Sequence, residues 1–217
     1  MIIKTNGIEL FYEKIGKGKP LIFLHGNGED HHTFDSLTKA LKEYYTCYLV
    51  DSRNHGSSSQ NQPLHYEDMA DDIYDFITIL DLENPIVFGF SDGAITAMIL
   101  SINHPMLLHK MILAGGSLDP YGVKKSFFKM MEAEYEKSKN PFIELMLKEP
   151  SISSTDLHQI KCPTLILAGE NDLIKYSHTK KIHQGILNSE MIIVQGHDHE
   201  SYILNSDYLA EIIIKFA

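Results

Sequence analysis

The 217-residue chain predicts an α/β fold: one domain over 1–217, built on a mostly parallel eight-stranded sheet with helices on both faces. Two observations carry this. Six short, continuous apolar runs recur along the chain, at 21–24, 46–50, 86–89, 111–114, 164–168 and 191–194, as expected of strands buried on both faces. Between them lie segments with helical spacing, at 33–43, 66–80, 93–102, 177–187 and 206–216.

The opening residues read as a hairpin. A strand at 2–4 meets the turn pair Asn6-Gly7, and 8–15 returns with partial alternation, supplying antiparallel strands at the sheet edge. The loop at 16–20 delivers the first buried strand. In the 66–80 helix, Met69, Ile73, Phe76, Ile77 and Leu80 form one apolar stripe. The rhythm breaks at 118–157, which holds no strand and reads as two short helices near 123–138 and 141–148. A segment leaving the carboxyl ends of strands lies where ligands bind in open α/β sheets, so 118–157 is expected to form a small helical lid. Its apolar residues, among them Phe127, Phe128, Met131, Phe142 and Met146, suit either a cover for the sheet edge or a pliable acyl pocket.

Composition excludes several classes of function. Hydrophobic residues make up 43% and charged residues 22%, which rules out a disordered chain. The net charge of −10 and a single arginine, Arg53, argue against nucleic acid and against anionic membranes as partners. No apolar run approaches the length of a membrane span, and no basic segment followed by an apolar one marks a signal peptide. Cys47 and Cys162 lie in strand-like runs and read as reduced core thiols, so a cytoplasmic location is expected and a disulfide is not.

The sharpest local motif is Gly89-Phe90-Ser91-Asp92-Gly93, directly after a strand and directly before a helix. A serine on so tight a turn needs small residues two positions either side, and its hydroxyl is exposed above the sheet near a helix N-terminus. A second turn, His25-Gly26-Asn27-Gly28, follows the first buried strand. The backbone N–H groups of Asn27 and Asp92 together make a two-donor oxyanion hole. Asp172, in Gly169-Glu170-Asn171-Asp172, and the histidines of Gly196-His197-Asp198-His199 also follow strands. The order serine, aspartate, histidine is that of a hydrolase of this topology, with either histidine available as the base.

These residues resemble the α/β-hydrolase superfamily over essentially the whole chain: the loop at 25–28, the stretch Asp51-Ser52-Arg53-Asn54-His55-Gly56, the elbow at 89–93, the turn at 169–172 and the late histidine. The resemblance implies that Ser91 is the nucleophile and Asp172 the acid. The family spacing of glycine, two residues, then histidine selects His199 as the base over His197. It also implies that residues 200–203 begin the last helical region and that Arg53 braces loops, the other use of a lone arginine being to bind a substrate carboxylate. Asn54 stands where the family usually has glycine, and asparagine also tolerates left-handed backbone. Serine rather than aspartate in the elbow disfavours dehalogenase chemistry.

The expected activity is hydrolysis of a small-molecule ester or thioester through an acyl-enzyme on Ser91, a carboxylesterase-like reaction that needs no cofactor. The alternatives are a slow-turnover binding or signalling protein on the same fold, or a perhydrolase or carbon–carbon hydrolase using the same triad. A metal site built from His197 and His199 with Asp198, together with His31 and His32, is not expected, because no second ligand set stands at a recognisable spacing.

Overall fold

The computed structural model describes residues 1–217. The strands are β1 (Ile2–Thr5), β2 (Ile8–Gly16), β3 (Lys19–Leu24), β4 (Tyr45–Val50), β5 (Ile86–Phe90), β6 (Lys110–Ala114), β7 (Thr164–Gly169) and β8 (Ser189–Val194). The helices are α1 (Asp35–Leu41), α2 (Tyr66–Ile79), α3 (Asp92–Asn103), α4 (Lys125–Ser138), α5 (Pro141–Lys148), α6 (Ser154–Leu157), α7 (Tyr176–Gly185) and α8 (Ala210–Phe216). No helix is long and apolar enough to cross a membrane.

All eight strands join one sheet in the order β1-β2-β4-β3-β5-β6-β7-β8. The β1–β2 and β2–β4 pairings are antiparallel and the rest parallel. Asn6 and Gly7 both have positive φ, 41° and 79°, as the two-residue turn joining β1 to β2 requires.

Strand alternation divides the core into two layers. In β3, Ile22 and Leu24 face a cluster built with α2, α3, α6 and α7, while Leu21 and Phe23 face a second cluster built with α1 and α8. Both faces of β3 through β7 are therefore apolar, which is why these strands read as unbroken hydrophobic runs. From β3 the chain turns one way to β4, then crosses back to β5 on the other side of β3. That reversal opens a crevice at the carboxyl ends of β3 and β5, where ligands bind in open α/β sheets.

Four elements differ from the sequence expectation. β8 is the outer strand, paired only with β7, and its run is half-exposed, with Ile192 open to solvent. Helix α4 starts at Lys125 rather than 123 because Val123 is drawn into an antiparallel bridge with Ile174. The segment between β6 and β7 also holds α6, whose Ser153 and Asp156 form a reciprocal capping box. Residues 200–205 make a single turn closed by Leu204 N–H to the Glu200 carbonyl and broken at Asn205 (φ 52°), so the final helix begins only at Ala210.

Cys47 and Cys162 are free and buried. Burial pushes the Cys47 thiol up to about 12, which keeps it protonated and inert.

The loop after β4 is anchored by Arg53. Its Nε and Nη2 donate to the two carboxylate oxygens of Asp72 on α2 at 2.7 and 2.8 Å, and Nη1 donates to the Pro63 carbonyl at 3.0 Å. Both side chains are almost fully buried, so neither charge is tolerable alone. Replacing Arg53 with Ala is expected to cost about 3–5 kcal/mol in denaturant unfolding. A loss below about 1 kcal/mol, the range of exposed pairs, would contradict a structural role.

Candidate active site

Ser91 stands between β5 and α3 with φ 52° and ψ −111°, a conformation that costs a non-glycine residue about 1–3 kcal/mol. The surrounding packing enforces it. Ser91 N–H donates to the Ala114 carbonyl of β6 at 2.8 Å, and its own carbonyl accepts from Ala94 and Ile95 in the first turn of α3. A methyl group on Gly89 would lie 2.3 Å from the Gly93 carbonyl oxygen, and one on Gly93 would lie 2.1 Å from the Leu24 carbonyl oxygen. Only glycine fits at either position, which accounts for the spacing of the motif.

The loop after β7 carries Asp172, which is buried. Its Oδ2 accepts the Gly169 N–H at 3.1 Å and its Oδ1 the Ile174 N–H at 2.9 Å, so the backbone aims the carboxylate. Oδ1 also lies 2.7 Å from His199 Nδ1. The opposite ring nitrogen, Nε2, is 3.1 Å from Ser91 Oγ. A buried, oriented carboxylate thus holds the imidazole with its acceptor nitrogen on the serine hydroxyl. Phe90 packs against this ring at 5.0 Å, and Gly115 (φ 62°), just after β6, lies beneath it, where a methyl group would meet His199 Cε1 at 2.6 Å.

His197 is turned elsewhere. Its Nδ1 contacts Ser201 Oγ at 3.1 Å and its ring lies against Tyr208. The structure brings His199, not His197, to Ser91.

Asn27 and Asp92 both line the crevice beside Ser91. The N–H of Asn27 has no intramolecular acceptor, and Asp92 opens α3, where helical N–H groups have none to offer within the helix. A side-chain contact unseen in the sequence joins them: Asn27 Nδ2 donates to Asp92 Oδ2 at 2.8 Å. Burial pushes the Asp92 carboxyl above its ordinary range, partly offset by that amide. The crevice is a cavity of about 170 Å³, walled by Phe127, Met131, Met146 and Leu173 on the side of the segment between β6 and β7 and its neighbouring loop.

Arg53 lies away from this cavity, in its pair with Asp72. Both ring nitrogens of His199 are engaged, which leaves it none for a metal. Asp30, His31 and His32 place ligand atoms within 4.8 Å of one another, but Asp51 holds His31 Nδ1 and Asp30 caps the His32 N–H.

The sequence motifs contain two histidines, His25 and His55, whose roles emerge only from their burial near the site. His25 Nδ1–H donates to the Gly26 carbonyl at 2.8 Å and its Nε2 accepts the Ser52 N–H at 3.1 Å. Complete burial, reinforced by the neighbouring His55, lowers its pKa to about 4. The available signal was position: His25 directly follows an apolar strand.

The model of the α/β-hydrolase fold family matches residues 19–148, and the chain belongs to that family. Among curated proteins it is 29% identical to the AB hydrolase superfamily protein YisY of Bacillus subtilis, over 99% of this chain and 98% of the relative. That alignment runs to 262 positions, so the relative carries residues this shorter chain lacks. It is 25% identical to the human serine hydrolase BPHL, over 94% of this chain and 81% of that protein. Among solved structures, the esterase EaEST of Exiguobacterium antarcticum superposes with a TM-score of 0.86 at 21% identity, covering 99% of this chain and 98% of that one.

A pH dependence of stability follows from His25. The unfolded chain takes up a proton near pH 6.5, whereas the folded protein resists it to about 4. Stability from neutral His25 is therefore complete above pH 6.5 and is lost as the pH falls toward 4, by about 3 kcal/mol in total. Urea unfolding at pH 7.5 and at pH 4.5 is expected to show this loss, and His25→Gln to lessen the slope between them. An unchanged slope in the variant would contradict the assignment.

Proposed function

We propose that this protein is a serine hydrolase that cleaves a small ester or thioester through an acyl-enzyme on Ser91. The observation that carries the reading is the hydrogen-bonded line from Ser91 Oγ through His199 to Asp172. The names of the human serine hydrolase and of the Exiguobacterium esterase support it.

In this mechanism Ser91 Oγ attacks the substrate carbonyl carbon while His199 Nε2 takes the hydroxyl proton. Asp172 accepts the Nδ1–H and stabilises the imidazolium. The negative oxygen of the tetrahedral intermediate accepts from the N–H groups of Asn27 and Asp92, each contributing about 3–4 kcal/mol. The bond to the leaving oxygen or sulfur then breaks as His199 returns the proton to the departing alcohol or thiol. A water molecule attacks the acyl-enzyme, with His199 again as base, and the acid leaves with Ser91 restored. The residues at 118–157 act as a lid whose Phe127, Met131 and Met146 hold the acyl group, and the cavity of about 170 Å³ suits a small one.

A fluorophosphonate probe is expected to label Ser91, and Ser91→Ala to abolish both labelling and turnover of short nitrophenyl esters. Undiminished turnover in that variant would move the chemistry to another residue. His199→Ala is expected to lower kcat by about 10³-fold or more, whereas His197→Ala stays within about threefold of wild type. The reverse ranking would make His197 the base.

A further inference from the structure

The loop at 26–28 offers one open donor between two that are tied down. Gly26 N–H donates to Glu29 Oε2 at 3.0 Å and Gly28 N–H donates to His55 Nε2 at 3.1 Å, while the N–H of Asn27 between them is free. Two peptide planes pinned on either side fix the direction in which the middle N–H points.

His55 is suited to that task. It is buried in the loop after β4, and its Nδ1 lies 2.8 Å from the Arg53 carbonyl. A carbonyl can only accept, so Nδ1 carries the proton and Nε2 presents its lone pair to Gly28. Burial lowers the pKa of His55, which keeps the ring neutral and able to accept.

The same ring reaches α5. It packs on the Phe142 ring at 4.6 Å, and the Phe142 carbonyl accepts from Asn27 Nδ2 at 3.3 Å. One residue of α5 therefore touches both the side chain of Asn27 and the imidazole that accepts from Gly28.

We propose that His55 is a positioning residue for the Asn27 oxyanion donor, and that Phe142 couples the seating of α5 to the aim of that donor. With α5 seated as it is here the donor is held in place, and an α5 displaced from this seat would leave it loose. The proposal rests on the serine-hydrolase reading, because the donor matters only when a carbonyl oxygen becomes negative.

The test compares ester kinetics with inhibition by an alkyl trifluoromethyl ketone, whose hemiketal with Ser91 presents an oxyanion to the hole. His55→Ala is expected to lower kcat about tenfold or more, leave KM within about threefold, and weaken ketone inhibition by the same factor as kcat/KM. His55→Gln, whose side-chain carbonyl can accept the Gly28 N–H, is expected to recover much of the loss. Phe142→Ala should give a smaller loss of the same kind, and the double variant should lose little beyond His55→Ala. A folded His55→Ala protein with kcat within twofold of wild type overturns the proposal, as does a Gln variant no better than Ala. If the alanine variant does not fold, His55→Gln and Phe142→Ala still decide: a change in KM alone, with ketone inhibition unmoved, overturns the coupling. A wild-type protein that turns over no ester and takes no fluorophosphonate removes the serine-hydrolase reading, and this inference with it.

Discussion

A serine held at positive φ between a strand and a helix is the constraint on which the rest of this molecule depends. The conformation is unfavourable by about 1–3 kcal/mol, and it persists because β5 and α3 cannot relax around it. Every residue of β5 is buried, and a fully buried large apolar side chain contributes about 1.5–3 kcal/mol, so the strand cannot shift to relieve the turn. At the other end, Gly93 lies so close to Leu24 that α3 is locked against β3. The strain at Ser91 is thus offset by the sheet, and the contact between α3 and β3 places the serine beside the loop that leaves β3.

The second determinant is electrostatic. The ground around the site holds several imidazoles, yet their environments divide the work. Hydrogen bonds commit both ring nitrogens of His199, Nδ1 donating to Asp172 and Nε2 accepting from Ser91. His25 and His55 are buried, their pKa values pushed down, and each uses one nitrogen as donor to a backbone carbonyl and the other as acceptor from a backbone N–H. Neutral histidines serve here as rigid connectors between loops that have no strand pairing of their own. Arg53 performs the same service with charge, tying the loop after β4 to α2.

Much of this was legible in the sequence, for physical reasons that can be named. Strands buried on both faces must be apolar at every position, so the runs in β3 through β7 mark themselves. The elbow was legible because glycine is the residue that survives two backbone approaches two positions either side of a serine. The legibility ends where a residue's partner is distant in sequence. Met191–Val194 is as apolar as the central strands, and only the sheet order reveals that it lies at an edge. Val123 continues the helical pattern of α4 but is claimed by Ile174 from another loop. Nothing local to Gly115 announces that His199 will lean on it, nor does His55 announce that its acceptor nitrogen will meet Gly28.

The proposed mechanism requires that a common acyl-enzyme forms. Two esters of the same acid with different leaving groups, a phenyl and a nitrophenyl ester, can be turned over in water containing methanol. The ratio of free acid to methyl ester among the products then reports the species that water and methanol attack. An acyl-enzyme predicts one ratio for both substrates, because the leaving group has departed before the choice is made. A ratio that changes with the leaving group would show water attacking the intact substrate, and would contradict the mechanism.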